Sequence, residues 1–236
     1  MLPLMHLAGS GSRPVLTITV STNQTNFNLK TAIEAIYGVQ SSAVTVVCTV
    51  NAGVLFDSTN NSIPSFRTGG FAAGSSLLLI LHGGAEGYGG SKGAGGANLT
   101  NGSDGGDGGD AIELDDDLSI DLSTLGHVYG GGGGGGGGAG GSVFCPGGPG
   151  GGGDGGRGRG CQQTKTSGSS GTGAAGDGGN GGDWGSNGAK GKDNTCPSRY
   201  GGARGLAGRA VRKNGKTLTW LAALPISGSP ATTRRR

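Results

Sequence analysis

The segment Tyr129–Gly141, YGGGGGGGGGAGG, decides how this chain is read. Nine consecutive glycines, Gly130 to Gly138, should form a floppy linker, because glycine loses more backbone freedom on ordering than any other residue. Such a run belongs to ordered structure only where the missing side chain is itself used, in backbones too close together to admit a Cβ. Outward from it, glycine recurs every third residue. It holds positions 84, 87, 90, 93 and 96, then 102, 105 and 108. It holds 173 to 191 in the same step, and 202, 205 and 208.

A step of three is neither the 3.6 of an α-helix nor the 2 of a strand. It is the repeat of the polyproline II helix, about 3.1 Å of rise per residue, with no internal hydrogen bonds. Such helices laid side by side can satisfy each other's N–H and C=O groups. The expectation is therefore a glycine-rich domain of packed polyglycine II helices with short β elements, the nine-glycine run being the most buried helix. Collagen fits poorly, with only 8 prolines and a register that breaks repeatedly. The breaks have turn composition: ANLTN (97–101), SVFCP (142–146), CQQTKTSGSS (161–170) and KDNTCPSRY (192–200).

Glycine supplies 59 of 236 residues and hydrophobic types only 32%. One conventional core of this size is excluded. The apolar residues cluster between Val15 and Leu81. VLTITV (15–20) and AVTVVCTV (43–50) read as strands, VLFD as a short one, and SSLLLILHG (75–83) as a strand buried on both faces or at an interface. FNLKTAIEAIYG (27–38) has helical spacing closed by Gly38. Residues 111–129 read as two short strands around Asp115–Asp117, and 209–227 as a hairpin on Asn214-Gly215. The resulting division is an arm (1–14), a small α+β attachment and oligomerisation unit (15–82), a glycine-rich domain with receptor-facing loops (83–228) and a basic tail (229–236).

Charge is uneven. Residues 1–120 carry 4 basic and 10 acidic side chains, and residues 121–236 carry 14 and 5. The basic half suits an anionic surface. The opening MLPLMHLAGSGSRP lacks the basic and long apolar regions of a secretory signal, and no run of 18 apolar residues exists. Cys48 lies in a strand pattern and reads as a buried thiol. Cys145, Cys161 and Cys196 match no zinc spacing and leave a disulfide open.

GGDGGDAIE (105–113) matches a calcium-binding nonapeptide, but that chemistry needs tandem copies. The reading preferred for Asp104, Asp107 and Asp110 is an exposed edge sharing one register. GGRGRG (155–160) and GGARGLAGR (201–209) are too sparse in arginine for nucleic-acid binding. No triad, paired carboxylates or histidine ligand spacing suggests an enzyme, a metal or a cofactor. Aromatic and basic residues in or beside the breaks remain as recognition candidates: Tyr88, Phe144, Arg157, Arg159, Trp184, Lys190, Lys192, Arg199 and Tyr200.

GGDGGDAI, a short strand unit, HVYGGGGGGGGGAGG and AV-x-x-NG-x-x-x-TWL occur here in that order. This order resembles the glycine-rich tips of tailed-phage tail fibres and tail-tip host-specificity proteins, over about residues 83–228. The resemblance implies polyglycine II helices holding variable recognition loops, and a virion protein assembled in the host cytoplasm. It implies as partners a bacterial surface receptor (an outer-membrane protein, lipopolysaccharide or a pilus) and other phage tail proteins, within a homotrimer, and no nucleic acid. The rival reading is a structural or ice-binding glycine-rich protein.

Overall fold

The computed structural model describes residues 13–122, 126–144, 148, 150–161, 163–196 and 198–221. Its regular structure is a parallel coil. The first turn lays down β1 (Val15–Val20), β2 (Gln24–Thr25) and β3 (Phe27–Asn28), then the helix α1 (Leu29–Tyr37). The second adds β4 (Thr45–Val50), β5 (Leu55–Asp57) and β6 (Phe66–Arg67). The third adds β7 (Ser76–Leu81), β8 (Gly84–Glu86) and β9 (Ile112–Glu113). The fourth begins with β10 (Leu118–Leu122) and β11 (His127–Tyr129). After a two-stranded hairpin of β12 (Asn194–Thr195) and β13 (Ser198–Arg199), β14 (Val211–Arg212) completes the fourth turn and β15 (Leu218–Trp220) opens a fifth.

Each turn gives one strand to each of three parallel sheets, ordered β1-β4-β7-β10-β15, β11-β8-β5-β2 and β14-β9-β6-β3. The register stacks like on like. Leu16, Val46, Leu77, Leu118 and Leu218 form one inward ladder; Ile18, Cys48, Leu79 and Ile120 form the next, with exposed Trp220 in register at its edge. Phe27, Phe66, Ile112 and Val211 form a third on another side. The Phe27, Phe56 and Phe66 rings meet inside, at 4.8 to 5.9 Å between centroids. Cys48 is fully buried here, which pushes its thiol up to about 12. The helix covers the first turn with buried Leu29 and Ile33. Asn28 caps its start by accepting from Thr31 N–H, and Gly38 ends it at φ 80°.

The expected fold class is corrected by this topology. The regular structure is three parallel sheets and a single helix among the described residues, not a small α+β unit followed by a domain of polyglycine II helices. The sheets draw on both halves of the chain: β9, β10, β11, β14 and β15 stack onto strands laid down before residue 87. The physical reason is burial. The few apolar residues after residue 110 cannot make a core alone, so they extend the one already started. Of the two readings of β7, burial on both faces is not what forms: it alternates buried and half-buried residues, so within the chain it has one inner face. The expected hairpin at Asn214-Gly215 keeps its turn, with φ of 48° and 80°, but its flanks β14 and β15 belong to different sheets.

The glycine segments, outside helix and sheet, leave from one corner of the coil. Residues 87–111 lie between β8 and β9, and residues 130–210 between β11 and β14, both on the step from the second sheet to the third. They run as threads tied sideways by backbone hydrogen bonds. Residues 131–139 form the central thread. Gly131, Gly134 and Gly137 donate to Gly109, Gly106 and Ser103 carbonyls in the thread 102–110, while Gly132, Gly135 and Gly138 donate to Arg159, Gly156 and Gly153. Gly133, Gly136 and Ala139 donate to Ser186, Ala189 and Lys192. Three further threads donate into it, from Gly90, Gly93 and Gly96, from Gly182, Gly179 and Gly176, and from Gly208, Gly205 and Gly202, all at 2.7 to 3.0 Å. Six neighbours thus satisfy every N–H and C=O from 131 to 139.

Candidate functional site

Thread ends fall in two places. At the coil end lie the turns after Gly160 and after Gly182. At the far end lie the turn 97–101, the segment after Gly141, the turn 172–175 and the β12–β13 hairpin. Far-end turns are tied to one another. Leu99 N–H donates to Gly141 O at 3.0 Å, Gly141 N–H to Gly150 O at 2.7 Å, and Thr172 N–H to Gly151 O at 3.0 Å. Asn194 Nδ2 donates to Gly140 O at 3.1 Å.

Outer threads have N–H groups with no seventh neighbour, and side-chain acceptors meet them. Asp104, Asp107 and Asp110 accept from the N–H groups of Ala203, Leu206 and Arg209, each at 2.6 Å. The expected edge is exposed at Asp104 and Asp107 and buried at Asp110, and it is at the same time a row of cross-links. Asn180 accepts from Gly168 N–H, and Asn187 from Ala207 N–H. Four other carboxyls, of Asp154, Asp177, Asp183 and Asp193, are held below the usual carboxylate range. For Asp154 the cause is Gly95 N–H, then Lys92; for Asp183 it is Trp184 N–H, with Lys165 and Arg159 behind it. For Asp177 it is Lys192, then Gly171 N–H; for Asp193 it is Lys190, then Gly201 N–H.

The nine recognition candidates separate accordingly. Phe144, 87% exposed, and Tyr200, 62% exposed, stand at the far end. Arg199 joins them, but its Nε donates to Leu99 O at 2.7 Å, so it ties two turns together. Lys190 and Lys192 pair with Asp193 and Asp177 at 2.8 and 2.6 Å. Arg157 is exposed on a flank, its N–H held by Thr166 Oγ1. Tyr88, Arg159 and Trp184 lie at the coil end, where Arg159 sits 5.5 Å over the Trp184 ring. Two far-end residues were missed, exposed Val143 and Leu99. Leu99 holds a left-handed φ of 61°, which strains a side chain of its shape. Its one sequence signal is an apolar residue inside the polar turn ANLTN.

At the coil end, β8 and β11 face the turns of the threads across a cleft of about 890 Å3. The His127, Tyr129 and Trp184 rings stack in series at 4.6 and 5.6 Å, and His127 Nε2 lies 3.0 Å from Glu86 Oε1. Asp183 receives both Arg159 at 3.3 Å and Lys165 at 3.5 Å. Sequence reading found only Arg159 and Trp184 of this group, because the rest come together only when the threads return to the coil. Among the described residues no group of His, Cys, Asp and Glu is placed to hold a metal, and no helix is long and apolar enough to cross a membrane. Cys145 lies outside the described residues; Cys161 and Cys196 are free thiols, so the disulfide left open by the sequence is not formed by either of them.

A core that serves as a base, and a block of threads that fixes turns at its far end, define a protein built to present a surface. The model of the phage tail fibre adhesin Gp38 family matches residues 15–231, and the chain belongs to that family. Among solved structures it is similar to the crystal structure of the gp37-gp38 adhesin tip complex of the bacteriophage S16 long tail fiber. That likeness has a TM-score of 0.50 at 24% identity, covering 92% of this chain and 82% of that one. At that identity the likeness speaks for the fold. No curated protein matches this chain. Family membership makes this a phage tail fibre adhesin with a host-recognition role in the virion tail.

Proposed function

We propose that the far-end turns are the host-receptor surface and that the coil fixes the chain to the tail fibre. The observation that carries this is the exposure of Phe144, Val143 and Tyr200 on turns whose backbones are pinned to each other. Large apolar side chains on a fixed frame are typical anchors of recognition, since little ordering entropy remains to be lost on binding. Their apolar character favours a protein receptor, such as an outer-membrane protein or a pilus, over lipopolysaccharide phosphates. Attachment to another tail fibre protein is supported by the structural neighbour, a gp37-gp38 complex, and the coil is assigned to it as the end opposite the far-end turns. The homotrimer that the resemblance implies is tested by native mass spectrometry of the assembled tip, where a single copy of this chain would overturn it.

The test is adsorption. Phage carrying Phe144→Ser with Tyr200→Ser should adsorb at least about tenfold more slowly, the loss expected of two anchors of about 1 kcal/mol or more each. Val39→Ser, an exposed position on the coil, should leave far-end binding by the isolated protein unchanged. Unaltered adsorption by a folded double variant would remove the far end from the receptor surface.

A further inference from the structure

We propose that Asn214 is a site of spontaneous covalent modification, a deamidation by water, and that the glycine threads protect the other three copies of the same dipeptide. This does not rest on the receptor surface proposed above. Asn followed by Gly occurs four times, at 101–102, 180–181, 187–188 and 214–215. The pair is reactive because glycine has no side chain to shield its nitrogen from the asparagine amide before it. The glycine nitrogen bonds to the asparagine Cγ and closes a succinimide ring. The side-chain nitrogen leaves as ammonia, taking the proton displaced from the backbone. Water then opens the ring. Opening at the side-chain carbonyl leaves aspartate; opening at the main-chain carbonyl leaves isoaspartate, which carries the backbone through Cγ. In sum, one amide and one water become one carboxylic acid and one ammonia.

In three of the four pairs the bundle holds both reacting groups. Gly102 N–H donates to Tyr200 O at 3.0 Å, and Asn101 Oδ1 accepts from Tyr200 N–H at 3.0 Å. Gly181 N–H donates to Thr166 O at 3.1 Å, and Asn180 Oδ1 accepts from Gly168 N–H at 3.0 Å. Gly188 N–H donates to Gly205 O at 3.0 Å, and Asn187 Oδ1 accepts from Ala207 N–H at 2.8 Å. Attack there breaks two cross-links and moves glycines packed on the carbonyls of Gly137, Arg157 and Gly134. Asn214-Gly215 is placed differently. Both residues are exposed, and nothing lies within 4 Å of a Cβ built on Gly215. The turn is closed by Lys216 N–H on Lys213 O at 2.8 Å, and among the described residues Gly215 N–H has no acceptor.

The product alters the coil. Asn214 Nδ2 now donates to Glu113 Oε1 at 2.9 Å, and a carboxylate in its place faces a carboxylate. Isoaspartate also lengthens the turn that joins β14 to β15. Beside that turn Thr217 N–H donates to Asp117 Oδ1 at 2.7 Å and Leu118 N–H to Thr217 O at 3.0 Å, the bonds that seat the fifth turn of the coil.

The full chain is aged in warm, mildly alkaline buffer, folded and again unfolded in urea, and peptide mapping counts aspartate and isoaspartate at the four sites. In the folded protein Asn214 should convert at least about tenfold faster than Asn101, Asn180 or Asn187, and in urea the four rates should converge. Aged protein should exchange the Leu118 and Thr217 amides about tenfold faster. Asn214→Gly carries no amide and suits the left-handed φ of 48°, so it should age without that change. The proposal is overturned if folded Asn214 converts no faster than the other three, or if it stays intact while the unfolded chain converts there. It is equally overturned if the same ranking persists in urea, or if aged Asn214→Gly loosens like the parent.

Discussion

A methyl group placed on Gly134 would land on the carbonyl of Ser91, and one on Gly135 on the carbonyl of Gly179. One on Gly136 would land on the carbonyl of Gly202. Three successive residues face three different neighbours, so no position from Gly130 to Gly138 has room for a Cβ. None of Gly130 to Gly138 has a left-handed φ, so space rather than backbone freedom is what requires glycine there. Gly134→Ala should therefore destabilise by about 3 kcal/mol or more, whereas Gly151→Ala, whose nearest atom is 3.9 Å away, should be close to neutral by thermal melting. Leu99 makes the opposite case. Leu99→Gly should hold or raise the melting temperature by relieving strain of about 1 kcal/mol, yet slow adsorption by removing a far-end apolar group. The demand for glycine was legible in the nine-residue run, because nothing else explains ordering it. The strain at Leu99 was not, since a left-handed leucine has no sequence signature.

Elements show a different limit. Strands β1, β4 and β7 and the helix were legible from period and caps, which are local. Their partners were not: in a parallel coil each strand pairs with one a full turn earlier, and no short-range pattern records that distance. Asn214-Gly215 illustrates it, since the turn forms as its residues dictate while its two flanks leave for different sheets. The three-residue step of Asp104, Asp107 and Asp110 was equally visible, but the thread that receives them lies 99 residues on. Removing one acceptor should strand a backbone donor. Asp107→Ala should cost about 1 to 2 kcal/mol in denaturant unfolding, and Asp107→Asn, which keeps an oxygen at that place, should recover most of it.

Over the whole molecule, the thread block and the coil respond to different stresses. Asp154, Asp177, Asp183 and Asp193 have carboxyls held below their unfolded values. Their contribution is complete above the unfolded value near pH 4 and is lost as pH falls through the folded ones. The melting temperature should hold from about pH 8 to 5 and drop below about pH 4, and Asp177→Asn should shrink that drop. These groups are largely exposed, so added salt should weaken the effect as well. The coil answers to packing instead: Phe56→Ala, in the centre of the three rings, should cost about 3 to 5 kcal/mol at every pH where the protein folds.

The surrounded position of the central thread also sets an order of events as the chain is made. Residues 131–139 leave the ribosome before four of their six neighbours, the last of which spans 201–209. Until that strand of chain arrives, the middle of the bundle can find only part of its hydrogen bonds and must wait in water. Assembly of the bundle is thus a late, long-range event, slow compared with closing the first turns of the coil. A chain interrupted before residue 200 should refold its N-terminal turns and leave the glycines unprotected in amide exchange.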